Sequence, residues 1–202
     1  MELQQDGMKK NELYPIFLKV ANLQLLIVGG GNVALEKLTF LLKSSPNAKV
    51  HMVAPEFLED TVKLGDLHGV SRAIKLYEPK DLEGKHMVIA TTDQPLVNEQ
   101  VYHDCRTRNI LVNVADNPPF CDFYMGGIVT KGNVKVAIST NGKSPTTAKR
   151  LRQFFEDVLP NDIDDLVQNL NTYRKTLKGD FEAKVEALND FTKSLVSKEK
   201  KG

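Results

Sequence analysis

The residues whose types and spacing speak most directly of chemistry are Gly29-Gly30-Gly31-Asn32-Val33-Ala34, a fit to G-x-G-x-x-A directly after the apolar run Leu23–Val28. The first glycine permits a tight turn, the next lets the backbone approach a pyrophosphate, and the small Ala34 allows a helix to pack closely on the strand. Phosphate charge would then be met by backbone N–H groups at the start of that helix. In this setting the spacing favours dinucleotide binding over a purely structural turn. The acid that usually binds the ribose about 20 residues further on is displaced: position 54 is Ala, followed by Pro55 and Glu56. Glu56 either takes the ribose or is an ordinary exposed acid. No Arg stands at this strand end to receive a 2′-phosphate, which favours NAD over NADP.

Three further positions could carry chemistry. Thr92, in Thr91-Thr92-Asp93, follows the fourth strand pattern at the edge where open α/β sheets bind ligands; its hydroxyl either faces a ligand or caps the next helix. Asp116 closes the fifth strand pattern. There it either takes the proton that accompanies hydride loss or simply opens the turn at Asn117-Pro118. Asn141-Gly142-Lys143-Ser144-Pro145 leads into a helix bearing Lys149, Arg150 and Arg152, an arrangement that suits a polyanion or makes a solvated face. Cys105 and Cys121 lack metal-ligand spacing, and the four histidines are scattered, so free thiols and no protein-built metal site are expected.

The elements that must position these residues alternate. Strand patterns at Lys49–Val53, Ala73–Tyr77, His86–Ala90 and Ile110–Val114 are separated by helical patterns at Val33–Leu42, Phe57–Leu67 and Pro95–Arg108. Such alternation predicts a parallel sheet with right-handed crossovers, an α/β fold of Rossmann type. The alternation stops near Asp116. Two strands follow, Gly127–Thr130 and Val134–Thr140, around Lys131-Gly132-Asn133. Ser144-Pro145 then starts a helix to about Val158, and apolar steps of three or four continue from Ile163 to Leu177 and from Phe181 to Leu195, with Gly179 as C-cap and Asp180 as N-cap.

The 202 residues carry 27 basic and 26 acidic groups, a balance that argues against a general nucleic-acid binder. No apolar run has the length of a secretion signal or a membrane span, so neither a membrane association nor a site outside the cytoplasm is expected.

Taken together, YPIFLKV (Tyr14–Val20), LLIVGGGNVALEK (Leu25–Lys37), VAPEF (Val53–Phe57), ATTD (Ala90–Asp93), NVAD (Asn113–Asp116) and AISTNGKSPTTAKRLR (Ala137–Arg152) resemble the precorrin-2 dehydrogenase family, which includes the N-terminal dehydrogenase and ferrochelatase part of siroheme synthase. The ordered set covers roughly residues 13–160. The resemblance implies a polar tail (1–12), an NAD-binding Rossmann domain (13–117), a small central β segment that dimerises (118–145) and a helical C-terminal domain (146–202). It implies NAD contacts at Gly29, Gly30, Gly31, Asn32, Val33, Glu56, Phe57 and Thr92. Asp116 falls on the catalytic carboxylate, and Thr140, Lys143, Ser144, Lys149, Arg150 and Arg152 fall in the substrate region. One departure is Asn141-Gly142, where the family usually has two glycines; Asn tolerates the positive φ such a turn needs. The expected activity is NAD-dependent oxidation of precorrin-2 to sirohydrochlorin by a homodimer. Iron insertion into sirohydrochlorin, and a non-catalytic NAD-sensing regulator, stand as alternatives.

Overall fold

The computed structural model of the chain describes residues 11–193; most of the expected polar tail, Leu195 and the basic end Lys198–Lys201 lie outside the described residues. The chain divides into two compact units, one of residues up to Gly126 together with Ser139–Pro145, the other of Gly127–Ile138 together with the helices from Thr146 onward. The stretch 118–145, expected as one central segment, is therefore shared between both units.

The first unit is built on β1 (Gln24–Val28), β2 (Lys49–Ala54), β3 (Ser71–Ile74), β4 (Met87–Ala90) and β5 (Leu111–Val114), in the order β3-β2-β1-β4-β5. All neighbouring pairs are parallel. Strand side chains alternate between faces, and because helices cover both faces of a parallel sheet, β1 is apolar and buried from Leu25 to Val28 after the exposed Gln24. Leu25 and Ile27 pack on one face with Ala34, Leu38 and Leu42 of α1 (Asn32–Ser44). Leu26 and Val28 pack on the other with Val101 and Cys105 of α3 (Pro95–Thr107). Burial of each Leu or Ile side chain contributes roughly 1.5–3 kcal/mol, so this alternation fixes the register of the central strand. A further helix, α2 (Glu59–Leu67), joins β2 to β3.

One strand of the parallel sheet is displaced from the expectation, and the strand expected at Val134–Thr140 ends at Ile138. The pattern Ala73–Tyr77 places β3 too late; the strand runs Ser71–Ile74, and the chain leaves the sheet after Lys75 N–H donates to Ala54 O. Tyr77 instead packs against the α3-side core and donates its hydroxyl to Asp104 at 3.0 Å. Lys75 Nζ bonds Glu78 and Asp81, tying the next segment into a short 3-10 turn at Pro79–Leu82. The interior site for the Tyr77 ring outweighs the β propensity of the run.

The second unit contains the antiparallel pair β6 (Gly127–Lys131) and β7 (Val134–Ile138) with α4 (Pro145–Val158), α5 (Ile163–Thr176) and α6 (Phe181–Thr192). Asp164 on α5 accepts from the backbone and side-chain nitrogens of Asn133 at 2.6 and 2.8 Å. Lys131 Nζ donates to Leu159 O at 2.5 Å and Asn161 Oδ1 at 2.8 Å. The turn of the strand pair is thus fastened to the helical segment by polar contacts. Asp180 caps α6 by accepting from Ala183 N–H at 2.9 Å, as its sequence position implies. The C-cap of α5, however, is Leu177, and Gly179 supplies a positive φ of 111° two residues later.

Candidate functional site

The winding of the first unit reverses between β1 and β4, and the crevice at the carboxyl ends of such neighbouring strands is where open α/β sheets take ligands. The glycine turn lies there. Gly29, at φ 126°, donates its N–H to Val53 O, and a Cβ on it would overlap the hydroxyl of Thr91. Gly30 faces the β2–α2 loop: its carbonyl accepts from Leu58 N–H at 3.0 Å, and a Cβ on it would overlap the Glu56 carbonyl oxygen. Gly31 differs from both. It is exposed, with no atom within 4 Å of the place a Cβ would take.

Gly31 is the N-cap of α1, and among the described residues no side chain accepts from the N–H groups of its first turn, which begins Asn32-Val33. Those donors and the partial positive charge of the helix end suit a pyrophosphate. A group with two phosphates therefore fits here on two independent grounds: open space above Gly31 and free backbone donors behind it. Thr91 joins the neighbouring strand ends, its N–H and hydroxyl both donating to Val28 O at 2.8 and 2.9 Å.

The other expected cofactor contacts occupy the rim of this crevice. Glu56 is exposed, one residue past Pro55, with its backbone rather than its carboxylate against the glycine turn. Phe57 is half-buried and packs against the α1-side core. Thr92 donates its hydroxyl to Asn98 Oδ1 at 2.7 Å and receives Gln94 N–H at 3.2 Å, so it ties down the start of α3 while remaining half-buried at the strand end.

Asp116 is exposed at the end of β5, in a turn closed by Asn117 N–H to Val114 O at 3.2 Å. Its φ of 57° is a left-handed conformation, costly for most side chains by about 1–3 kcal/mol and most readily tolerated by Asn and Asp. Asp116 therefore forms the turn and leaves its carboxylate exposed. The segment after it folds back on β5: Asp122 N–H donates to Val112 O, and Asp122 Oδ2 accepts from Val112 N–H. Asp122 Oδ1 takes the guanidinium of Arg106 at 2.9 Å.

In the loop before α4, Thr140 Oγ1 accepts from Ser144 N–H at 3.3 Å and donates to Ser144 O at 3.1 Å. Asn141 and Gly142 both take positive φ, 55° and 72°, so Asn does support the turn here. Lys143 at its tip is exposed. Thr140, Lys143 and Ser144 belong to the first unit, whereas Lys149, Arg150 and Arg152 lie on α4 in the second. Arg152 is not a spare cation: it pairs with Glu156 at 2.5 Å, while Arg150 donates to Gln153.

Sequence reasoning missed Asn113, Cys121 and Asn98, which hold these loops in place. A polar residue inside an otherwise apolar strand, Leu111-Val112-Asn113-Val114, was the available signal for Asn113. Among the described residues no group of His, Cys, Asp and Glu gathers at metal-binding distance, and no helix is long and apolar enough to cross a membrane. Cys105 is buried, its thiol pushed up to about 12 by that burial, and the Cys121 thiol is raised for the same reason. A depression of about 420 Å³ lies at the opposite, amino edge of the sheet, beside Lys49, His51, His68 and Lys85. It is remote from the carboxyl ends of the strands, and an extended dinucleotide needs an open shelf with backbone donors more than an enclosed hollow.

A protein-family model described as "Putative NAD(P)-binding" matches residues 16–127, more than half of the chain. The chain belongs to this family. Its cofactor class is accordingly a nicotinamide dinucleotide, in keeping with the shelf above Gly31. A second family model, "Sirohaem biosynthesis protein central", matches residues 131–157. Among curated proteins, the siroheme synthase of Pseudoalteromonas atlantica is 36% identical over 170 residues, covering 84% of this chain and 36% of the relative. That of Methylococcus capsulatus is 41% identical over 147 residues, covering 73% and 31%. The chain therefore spans about a third of the length of these relatives. A solved structure titled "SirC, precorrin-2 dehydrogenase" shares the fold, with a TM-score of 0.69 at 22% identity over 89% of each chain.

The glycine geometry separates packing from binding. Gly30→Ala should destabilise the chain by about 1–3 kcal/mol through forced overpacking. Gly31→Ala, pointing into open space, should stay within about 0.5 kcal/mol of the parent. Urea unfolding of both variants checks this; equal losses would contradict the assignment of the two roles.

Proposed function

We propose that this chain oxidises precorrin-2 to sirohydrochlorin, with NAD as the hydride acceptor and Asp116 as the general base. The observation that carries the reading is the pairing of the open shelf at Gly31 with an exposed carboxylate at the end of β5, both on the carboxyl edge of one sheet. The two curated relatives named above are siroheme synthases, and the solved structure of similar fold is titled as a precorrin-2 dehydrogenase.

In this reading Gly29, Gly30, Gly31, Asn32 and Val33 seat the pyrophosphate, and Glu56, Phe57 and Thr92 border the nucleoside and nicotinamide. When bound, the nicotinamide supplies a hydride acceptor. Loss of two hydrogens from the macrocycle also releases a proton, and Asp116, exposed and with no cation paired to it among the described residues, takes that proton. The Thr140–Ser144 loop orients the substrate, and Lys143, Lys149 and Arg150 are the cations assigned to the substrate's carboxylates, Arg152 being engaged by Glu156. The absence of Arg at the end of β2 favours NAD over NADP. The same carboxylate would accept pyrrole protons if ferrous iron were inserted into the product.

We further propose that the chain works as a homodimer formed through the second unit. The two-stranded pair β6-β7 has open edges, which isolated pairs tolerate poorly, and α4 leaves Phe154 and Val158 more than half exposed, at 55% and 56%. Sedimentation at micromolar concentration should give twice the chain mass; a stable monomer would refute the dimer.

The activity is tested by supplying precorrin-2 with NAD and then with NADP, following reduced nicotinamide, and adding ferrous iron once the product has formed. Turnover should depend on precorrin-2 and prefer NAD. Asp116→Asn, which keeps the turn-forming side chain and removes only the basicity, should lower kcat by about 10²–10⁴-fold, roughly 3–5 kcal/mol of barrier, with an unchanged melting temperature. No reduction of NAD would leave a sensing role. A variant retaining a third or more of the parent rate would make Asp116 a turn former.

A further inference from the structure

One thiol bridges the two sides of the turn that carries Asp116. Cys121 Sγ lies 3.2 Å from Val114 O and 3.3 Å from Asn117 O, so a single S–H is shared between the carbonyls on either side of Asp116. Cys121 is itself held from below. Asn113, only 7% exposed inside β5, donates its amide to Cys121 Sγ at 3.3 Å and to Phe123 O at 2.8 Å. The backbone between these groups turns through 3-10 geometry at Pro118–Phe120, with Phe120 N–H donating to Asn117 O and Cys121 N–H to Pro118 O.

These contacts converge on a residue in an unfavourable backbone region. A φ of 57° at Asp116 persists only where the surroundings over-determine it. The pieces that do so are the Asn117 N–H to Val114 O bond, the thiol across both carbonyls, and the Asn113 amide that fixes the thiol. Burial raises the Cys121 thiol above its ordinary range, which keeps it a neutral donor rather than a nucleophile.

We propose that Cys121, fixed by Asn113, is a positioning residue for Asp116: it sets the turn that aims the carboxylate and takes no part in proton transfer itself. This rests on the reading of Asp116 as the base. A misplacement of a reacting group by about 1 Å can lower a rate by around 10²-fold, so the clamp acts on kcat rather than on cofactor affinity.

The test is a cycle of variants on the full chain, measured with precorrin-2 and NAD. Cys121→Ala should lower kcat by roughly tenfold or more and leave the NAD dissociation constant unchanged. Cys121→Ser, whose hydroxyl can donate to the same carbonyls, should recover most of the rate. Placed on Asp116→Asn, Cys121→Ala should add no further loss, because the group it aims is already gone. Native hydrogen exchange at the Asn117 amide should quicken in Cys121→Ala and not in Cys121→Ser. If Cys121→Ala does not fold, Cys121→Val, which keeps the bulk and loses the donor, takes its place against Cys121→Ser. Parent-like kcat in the donor-free variant, with Asp116→Asn inactive, overturns the positioning role and leaves the base in place. Losses that multiply in the double variant also overturn it. An active Asp116→Asn overturns the base assignment, and the positioning role with it.

Discussion

Where β1 runs into α1 there is no room for a side chain on two successive residues, and the carboxyl edge of the sheet is arranged around that shortage of space. Thr91 at the end of β4 presses on Gly29, and the backbone of Glu56 presses on Gly30. The β2–α2 loop is fastened to the same turn through Leu58 N–H and Gly30 O. Three chain segments thus meet at the switch point with backbone against backbone. One glycine, Gly31, is left facing solvent with free helix donors behind it. An open shelf follows from the packing, and it is where a dinucleotide is proposed to lie, since close approach of the chain to itself also permits close approach of the chain to phosphate.

The far end of the same edge has a different problem. Strand β5 must end in a sharp return so that Asp122 can pair with Val112, and the return places Asp116 in the left-handed region. Local stability is spent on geometry there, at a residue whose carboxylate is exposed. Asn113 and Cys121 supply the compensating contacts from a buried strand and a half-buried loop. Flexible loops alone would not hold such a conformation, which is why the rigid sheet matters to the chemistry proposed for its rim.

Much of this was legible in the residues. Continuous apolar runs marked the buried parallel strands, and helical spacing placed α1 and α3, because hydrophobic burial dominates both and leaves a periodic trace. The strand β3 was misplaced by its pattern: Tyr77 looks like a strand residue, yet its ring finds a better place against α3 and its hydroxyl a partner in Asp104. Gly179 was misread for a related reason, since its positive φ serves the linker to Asp180 rather than the end of α5. At the site, residue type announced the glycine turn, whereas the division of labour between Gly30 and Gly31 depends on the distant loop at Glu56 and has no local signature. The thiol clamp was equally hidden, because a lone cysteine after two prolines carries no pattern. The pairing of Arg152 with Glu156 could have been read from their four-residue spacing on a helix, and it lowers the weight of Arg152 as a cation for substrate.

The central claim is that the open space above Gly31 is where the dinucleotide pyrophosphate rests. Its most direct measurement is calorimetric titration of NAD into the parent chain and into Gly31→Val, with melting temperature followed in parallel. The parent should bind NAD saturably with one site per chain, and the valine, filling the shelf without touching the core, should weaken binding by at least about tenfold, or ~1.4 kcal/mol, at an unchanged melting temperature. Equal affinity in the two proteins would place the cofactor elsewhere and contradict the account.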